Sequence, residues 1–303
     1  MQAAVLGAGT QAFYQSLCES TPALSAHPDH ATGGQRFCLW HRPVDPARAP
    51  LALVVHVPPF AEEMNKSRRM AALQCRSLVQ AGFAVLQMDL LGCGDSGGDF
   101  ADATWEAWTA DVVAACHLAR QRHARDWPAA PDPELWLWGV RAGCLLAAAA
   151  AGCLQGPVNF LFWQPAASGK PVLQQFLRLR LAASLGQGDA KGVTEYLRHE
   201  IAAGRSVNVA GYDLAAALAQ GLEAARLMPA AQRCRVFWLE VSARPDAGLL
   251  PVSQTAVQSW RDAGHEVNDA VVVGPSFWST VEIEDAPALL DASTQMLLQA
   301  SAR

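Results

Sequence analysis

Nine consecutive residues, Leu135-Trp136-Leu137-Trp138-Gly139-Val140-Arg141-Ala142-Gly143, pose the chemical question of this chain. An apolar run bounded by glycines reads as a buried strand, and the alanine- and leucine-rich residues 144–153 read as a helix. Strand, sharp turn and helix together make the geometry that displays a nucleophile in G-x-S-x-G sequences. The two glycines let strand and helix pass closely, and the middle residue stands strained over the helix N-terminus. Here that residue is Arg141. A guanidinium stays protonated at ordinary pH and has no lone pair with which to attack a carbonyl. Beside the free N–H groups of a helix, it can instead grip a carboxylate or phosphate with two parallel hydrogen bonds. Val140 and Ala142, its neighbours, join it as candidate ligand contacts.

A second group lies in the loop after the apolar run 51–57, which in that arrangement passes beside the turn. Glu62, Glu63, Asn65 and Lys66 therefore face the pocket if the arrangement holds. A glutamate pair in a loop is ordinarily solvated. Buried near Arg141, one of them would instead serve as general base for water, a chemistry that needs no serine. Cys93 is the remaining nucleophile candidate, although a turn cysteine without a histidine to take its proton is usually inert. Its surroundings, Gly92-Cys93-Gly94-Asp95-Ser96-Gly97-Gly98, imitate a phosphate loop but lack the G-K-[ST] ending. His56, at a strand end, reads as a core histidine. Trp136, Trp138 and Trp163 also read as core, whereas Trp278 is placed to line a pocket. Arg178 and Arg180, with Gln174 and Gln175, share part of one helical face, either solvated or lining an acidic ligand.

The elements that must position these residues follow from pattern. The chain has 303 residues, 51% hydrophobic and 17% charged, enough for one large α/β domain with a sizeable core. A net charge of −5 argues against nonspecific nucleic-acid binding. The start has no basic segment followed by a sustained apolar core, and no run approaches 18 uncharged apolar residues, so a cytoplasmic protein without an integral membrane segment is expected. The eight cysteines (18, 38, 75, 93, 116, 144, 153 and 234) form no C-x-x-C pair, which predicts reduced, buried thiols, with neither a zinc site nor a cofactor.

Residues 1–33 read as a loosely ordered arm, with a short helix near 10–18, and residues 35–41 as an edge strand. Strands follow at 51–57, 83–91, 135–140, 159–163, 234–242 and 267–273. Helices are expected at 65–80, 103–122, 144–153, 251–263 and 287–299. This repeated βα order predicts a parallel sheet with helices on both faces. Between the strands at 159–163 and 234–242, the spacing predicts three helices, at 172–185, 193–203 and 212–227.

These segments resemble the exosortase A system-associated hydrolase 2 family of α/β-hydrolase-fold proteins, encoded beside bacterial exopolysaccharide and protein-sorting genes. The resemblance rests on Phe60-Ala61-Glu62-Glu63-Met64-Asn65-Lys66-Ser67-Arg68-Arg69-Met70, on Asp89-Leu90-Leu91-Gly92-Cys93-Gly94-Asp95-Ser96 and on Leu137 to Gly143. It also includes Trp163-Gln164-Pro165 and Gln174-Gln175-Phe176-Leu177-Arg178-Leu179-Arg180. It implies an α/β-hydrolase fold, a mostly parallel, doubly wound sheet of about eight strands with a helical cap before the penultimate strand. The core would span 34–165 and 230–303, and the cap 166–229.

The wider superfamily carries Ser, then Asp or Glu, then His after the last strand. Residues 274–280 hold no histidine, and none follows His265, which stands at the wrong end of the sheet. Asp246 or Glu240 fits the acid position, but an acid without its histidine orients nothing. The expectation is a degenerate triad and an anionic small molecule or peptide terminus bound through Arg141. An active ester or amide hydrolase using Glu62, Glu63 or Cys93 is the alternative. A scaffold that recruits a partner protein through the cap is the third class. A buried ion pair that shuts the pocket and an anion site both place Arg141 beside the glutamates. They differ in whether a cavity remains.

Overall fold

The computed structural model describes residues 4–5, 9–17, 34–184 and 190–302. Among them, strands β1 (Ala4–Val5), β2 (Thr10–Ser16), β3 (Gln35–His41), β4 (Ala52–Val57), β5 (Ala84–Met88), β6 (Glu134–Val140), β7 (Asn159–Trp163), β10 (Arg235–Ser242) and β11 (Glu266–Val273) form one sheet. Its order is β1-β2-β3-β5-β4-β6-β7-β10-β11. From β5 to β11 all neighbours are parallel, while β1, β2 and β3 add an antiparallel wing.

Alternation along the central strands sends side chains into two apolar layers. Leu53, Val55, Leu135 and Leu137 face α2 (Trp105–Asp126), α3 (Gly143–Ala151) and α7 (Pro251–Asp262). Val54, Trp136, Trp138 and Val140 face α1 (Glu62–Gln80) and α8 (Pro287–Ser301). Burial on both faces explains why these strands read as continuous apolar runs.

Three expectations are corrected. Residues 10–16 form a strand, not a helix. β2 pairs along its length with β3, Tyr14 packs edge-on against Phe37, and the Arg122 guanidinium sits 3.7 Å from the Phe13 ring. A strand half-covered on both faces shows neither helical nor two-residue periodicity, so its type emerges only from its partner. Of the predicted arm, 1–33, residues 4–5 form β1, while 1–3, 6–8 and 18–33 lie outside the described residues. β3, in consequence, is interior rather than an edge. Its core face is Arg36, Cys38 and Trp40, with Arg36 paired to buried Asp111 at 2.9 Å.

The third correction concerns the insertion between β7 and β10. It contains α4 (Gly169–Ser184), α5 (Ala190–Ala202) and α6 (Ala216–Ala224), but residues 212–214 are not helical. Strands β8 (Val207–Val209) and β9 (Tyr212–Leu214) form a hairpin. Ala210 and Gly211 both have positive φ, 51° and 88°, as a two-residue hairpin turn requires. The insertion is seated closely: α6 packs on α2, and a Cβ on Gly221 would lie 2.3 Å from that of Trp105. Of the helices described, none is long and apolar enough to cross a membrane.

Candidate functional site

The turn after β6 has the form its glycines predict. Arg141 sits in the left-handed region at φ 55°, a conformation that costs a non-glycine residue about 1–2 kcal/mol. Three backbone hydrogen bonds hold it there: its N–H donates to the Trp163 carbonyl at 2.9 Å, and its carbonyl accepts the Cys144 N–H at 3.2 Å and the Ala166 N–H at 3.3 Å. A Cβ on Gly139 would stand 2.7 Å from Cys144 Cα, and one on Gly143 would stand 2.4 Å from the Val57 carbonyl oxygen. Both glycines are therefore required by close backbone approach. The loop after β4 is strained too, with Ala61 at φ 50°.

α1 begins at Glu62, three residues before the sequence pattern suggested, so the two glutamates occupy its first turn instead of a loop. Carboxylates at a helix N-terminus gain from its unpaired N–H groups. One helical step separates them by about 100°, and they accordingly face different partners. Glu63 turns to Arg141, whose Nε and Nη2 both donate to Glu63 Oε1 at 3.2 Å. Arg141 Nη1 donates to the Gln164 carbonyl at 3.5 Å, and the Trp278 ring lies 5.2 Å from the guanidinium carbon. Glu62 turns to Tyr212 of the hairpin, whose hydroxyl also accepts from Asn65 Nδ2 at 2.8 Å.

The pair is nearly closed off from solvent, with 16% of the Arg141 side chain and 13% of the Glu63 side chain exposed. Burial raises the Glu63 pKa above its ordinary value, more than the neighbouring Arg141 charge lowers it. Its second oxygen, Oε2, is buried and has no hydrogen-bond partner among the described residues.

A cavity of about 220 Å³ remains beside this pair. Glu62, Glu63 and Lys66 line it from α1, Phe60 from the preceding loop, Trp278 and Ser279 from the loop after β11. α4 covers it with Val172, Gln175, Phe176 and Leu179, the i, i+3, i+4, i+7 stripe of one helical face. Three of the five segments singled out in the sequence thus supply the cavity or the ion pair against it, and a fourth supplies the Gln164 carbonyl that Arg141 bonds.

Other candidates fall elsewhere. Arg178 lies on the exposed side of α4 and is absent from the lining. Val140 is buried in the core between sheet and α8, and Ala142 abuts a narrow cleft with Pro58 and Trp108. Cys93 is buried, and burial, reinforced by Asp89 and Asp111, pushes its thiol up to about 12. That is the opposite of an activated thiolate.

Ser96 belongs to the turn itself: its hydroxyl accepts the Phe37 N–H at 2.9 Å and donates to the Asp89 carbonyl at 2.5 Å. His265 stands at the far end of the sheet, where its Nδ1 accepts the Cys234 N–H at 3.2 Å. Glu240 is buried and accepts from Trp238 Nε1 at 3.2 Å and the Leu250 N–H at 3.1 Å, while Asp246 is exposed. Among the described residues, no group of three or more His, Cys, Asp or Glu is placed to hold a metal.

Sequence reasoning missed Tyr212, Val172 and the strained Gln164. Tyr212 was hidden inside a helical pattern. Gln164 has φ 43°, and its Oε1 accepts the Val241 N–H at 2.8 Å, tying the turn to β10. No local signal marks it, since a residue before proline is biased toward extended backbone and not toward positive φ.

No family model and no curated protein matches the chain. Solved structures do. Est1E from Butyrivibrio proteoclasticus, solved with ferulic acid bound, superposes with a TM-score of 0.58 at 18% identity, over 89% of this chain and 96% of that one. A highly thermostable carboxyl esterase from Bacillus coagulans, in complex with glycerol, gives 0.55 at 14% identity, over 96% and 97%. At such identities the likeness is one of architecture, and with the sheet order above it makes this an α/β-hydrolase fold.

Proposed function

We propose that this chain is a binding protein on an α/β-hydrolase fold, with a degenerate triad, that takes an anionic small molecule or peptide terminus into the cavity beneath α4. The observation that carries the reading is Arg141 at the strained apex, fixed by Glu63, with a cavity left open beside the pair. An ion pair that shut the pocket would leave no such volume. Lys66 lines the cavity as its own cation, Arg141 adds a second positive charge behind Glu63, and the aromatic wall suits an apolar body.

Specific binding of such a ligand at 100 times its Kd stabilises the fold by about 2.7 kcal/mol. The test is therefore the thermal shift produced by uronates, acyl phosphates and short peptides, expected in the wild type and lost in Lys66→Met and Arg141→Met. No shift from any of them overturns the proposal.

A second reading is favoured by one observation. Glu63 is a buried carboxyl of raised pKa beside a cavity, a base closer to neutrality than an ordinary glutamate. On that reading the protein hydrolyses an ester or amide by activating water. Turnover of p-nitrophenyl esters that disappears in Glu63→Gln supports it.

The resemblance to exosortase A system-associated hydrolase 2 adds a proposed setting in bacterial exopolysaccharide or protein-sorting metabolism. Deleting the gene is then expected to alter exopolysaccharide output.

A further inference from the structure

The two margins of the sheet differ in how they are protected. One closes on β1, only two residues long. The other is β11, eight residues in unbroken register with β10, and among the described residues no strand pairs with its outer side. Hydrogen bonding in a parallel ladder returns at every second residue. Glu266 N–H donates to the Cys234 carbonyl and Gly274 N–H to the Ser242 carbonyl, so the even-numbered residues face β10. Val267, Asp269, Val271 and Val273 therefore turn their main-chain groups outward. Proteins blunt such an edge with a very short strand, a bulge, a proline or a charge. Here Arg261 guards the first half alone, donating to the Val267 carbonyl at 3.1 Å and pairing with the Asp269 carboxylate. Ala270-Val271-Val272-Val273 has no such guard.

We infer that β11 pairs antiparallel with β11 of a second copy of this chain, so that one sheet runs through both. Self-complementarity carries the choice of occupant. Asp269, Val271 and Val273 are the residues whose outward N–H and C=O are both unoccupied among the described residues. One register alone pairs these three entirely among themselves: a twofold axis at Val271, which sets Val271 against Val271 and Asp269 of each copy against Val273 of the other. Each facing pair then exchanges two main-chain hydrogen bonds, and no charge meets its like. Sliding the copies one way brings in the occupied Val267 carbonyl, and sliding them the other way brings in Pro275, which has no N–H.

The surroundings of the unguarded half are apolar as well. Val273 is 49% exposed, and Leu250 and Val252 at the start of α7 are 51% and 57% exposed. Glu240, opposite Val271 in the ladder, accepts the Leu250 N–H at 3.1 Å and so holds that end of α7 beside the edge. Pairing covers such surface. β11 also leads directly into the loop that carries Trp278 and Ser279 to the cavity, so the interface braces one wall of each site.

The test is the mass of the full chain in solution, by sedimentation equilibrium across micromolar concentrations. A dimer is expected for the wild type, and Val273→Lys, a charge at an exposed edge position, is expected to weaken it at least tenfold. Register is read by cross-linking in a Cys18→Ser, Cys153→Ser background, because Cys153 is exposed. Facing Cα atoms of a hydrogen-bonded antiparallel pair lie about 5.5 Å apart, within reach of a disulfide. Val271→Cys is therefore expected to cross-link to itself on oxidation, whereas Asp269→Cys and Val273→Cys cross-link only when mixed with each other. A monomer at every concentration overturns the inference, as does a dimer that Val273→Lys leaves unchanged. So does a Val271→Cys chain that stays uncross-linked, or an Asp269→Cys chain that cross-links to itself.

Discussion

The Arg141–Glu63 pair makes a quantitative demand that the two single substitutions should meet unequally. Both side chains are almost buried, and two hydrogen bonds converge on one oxygen. Removing one partner of a buried pair costs about 3–5 kcal/mol because the survivor is left uncompensated. A guanidinium cannot shed its charge, so Glu63→Leu should cost about 3 kcal/mol. A carboxyl can neutralise itself by taking up a proton, so Arg141→Met should cost less, about 1.5 kcal/mol. Replacing both should return stability to within about 1 kcal/mol of the wild type.

pH separates the two singles further. Burial already raises the folded-state pKa of Glu63 above 4.5, and losing Arg141 removes the opposing influence. A carboxyl whose folded pKa lies above its unfolded value contributes stability that is present below the unfolded value and is lost as pH rises through the folded one. Arg141→Met should therefore weaken as pH climbs from 4.5 toward neutrality, and Glu63→Leu should lack that slope. Urea unfolding at several pH values, with the m-value checked for constancy, measures both effects. Additive singles, with Glu63→Leu costing under about 1 kcal/mol, would refute the claim that the pair is energetically linked.

Two further outcomes concern the turn after β6 and the end of β4. Gly143→Ala should destabilise by about 3 kcal/mol or more, because its Cβ would meet the Val57 and Pro58 carbonyl oxygens at 2.4 and 2.5 Å, whereas Gly192→Ala, with open space around it, should be neutral or slightly stabilising by the same urea assay. His56 is held down to about 3 by burial, then by the Arg68 and His41 charges. The unfolded chain binds that proton near 6.5 and the folded one does not, so part of the stability is lost as pH falls from 6.5 toward 3, and His56→Phe should lose less over that interval in acid unfolding.

Local pattern alone determined a good deal. The buried strands 52–57 and 134–140, the glycine-flanked turn and the presence of arginine at its apex were legible, since each depends on residues within a few positions of one another. Identity of side chain also fixed what Arg141 cannot do, since no environment gives a guanidinium a nucleophilic lone pair.

What only the tertiary structure decided is which residues meet. Starting α1 at Glu62 rather than Asn65 sets the helical phase. That phase sends Glu63 to a partner 78 positions away and Glu62 to the hairpin tyrosine. The same rotation about α4 puts Gln175 into the cavity and leaves Arg178 outside it. β2 became a strand because β3 was there to pair with it. Periodicity names an element and its apolar stripe, but the contact a charged side chain makes depends on the phase and seating of two elements at once. Long-range packing sets that, and a run of residues does not record it.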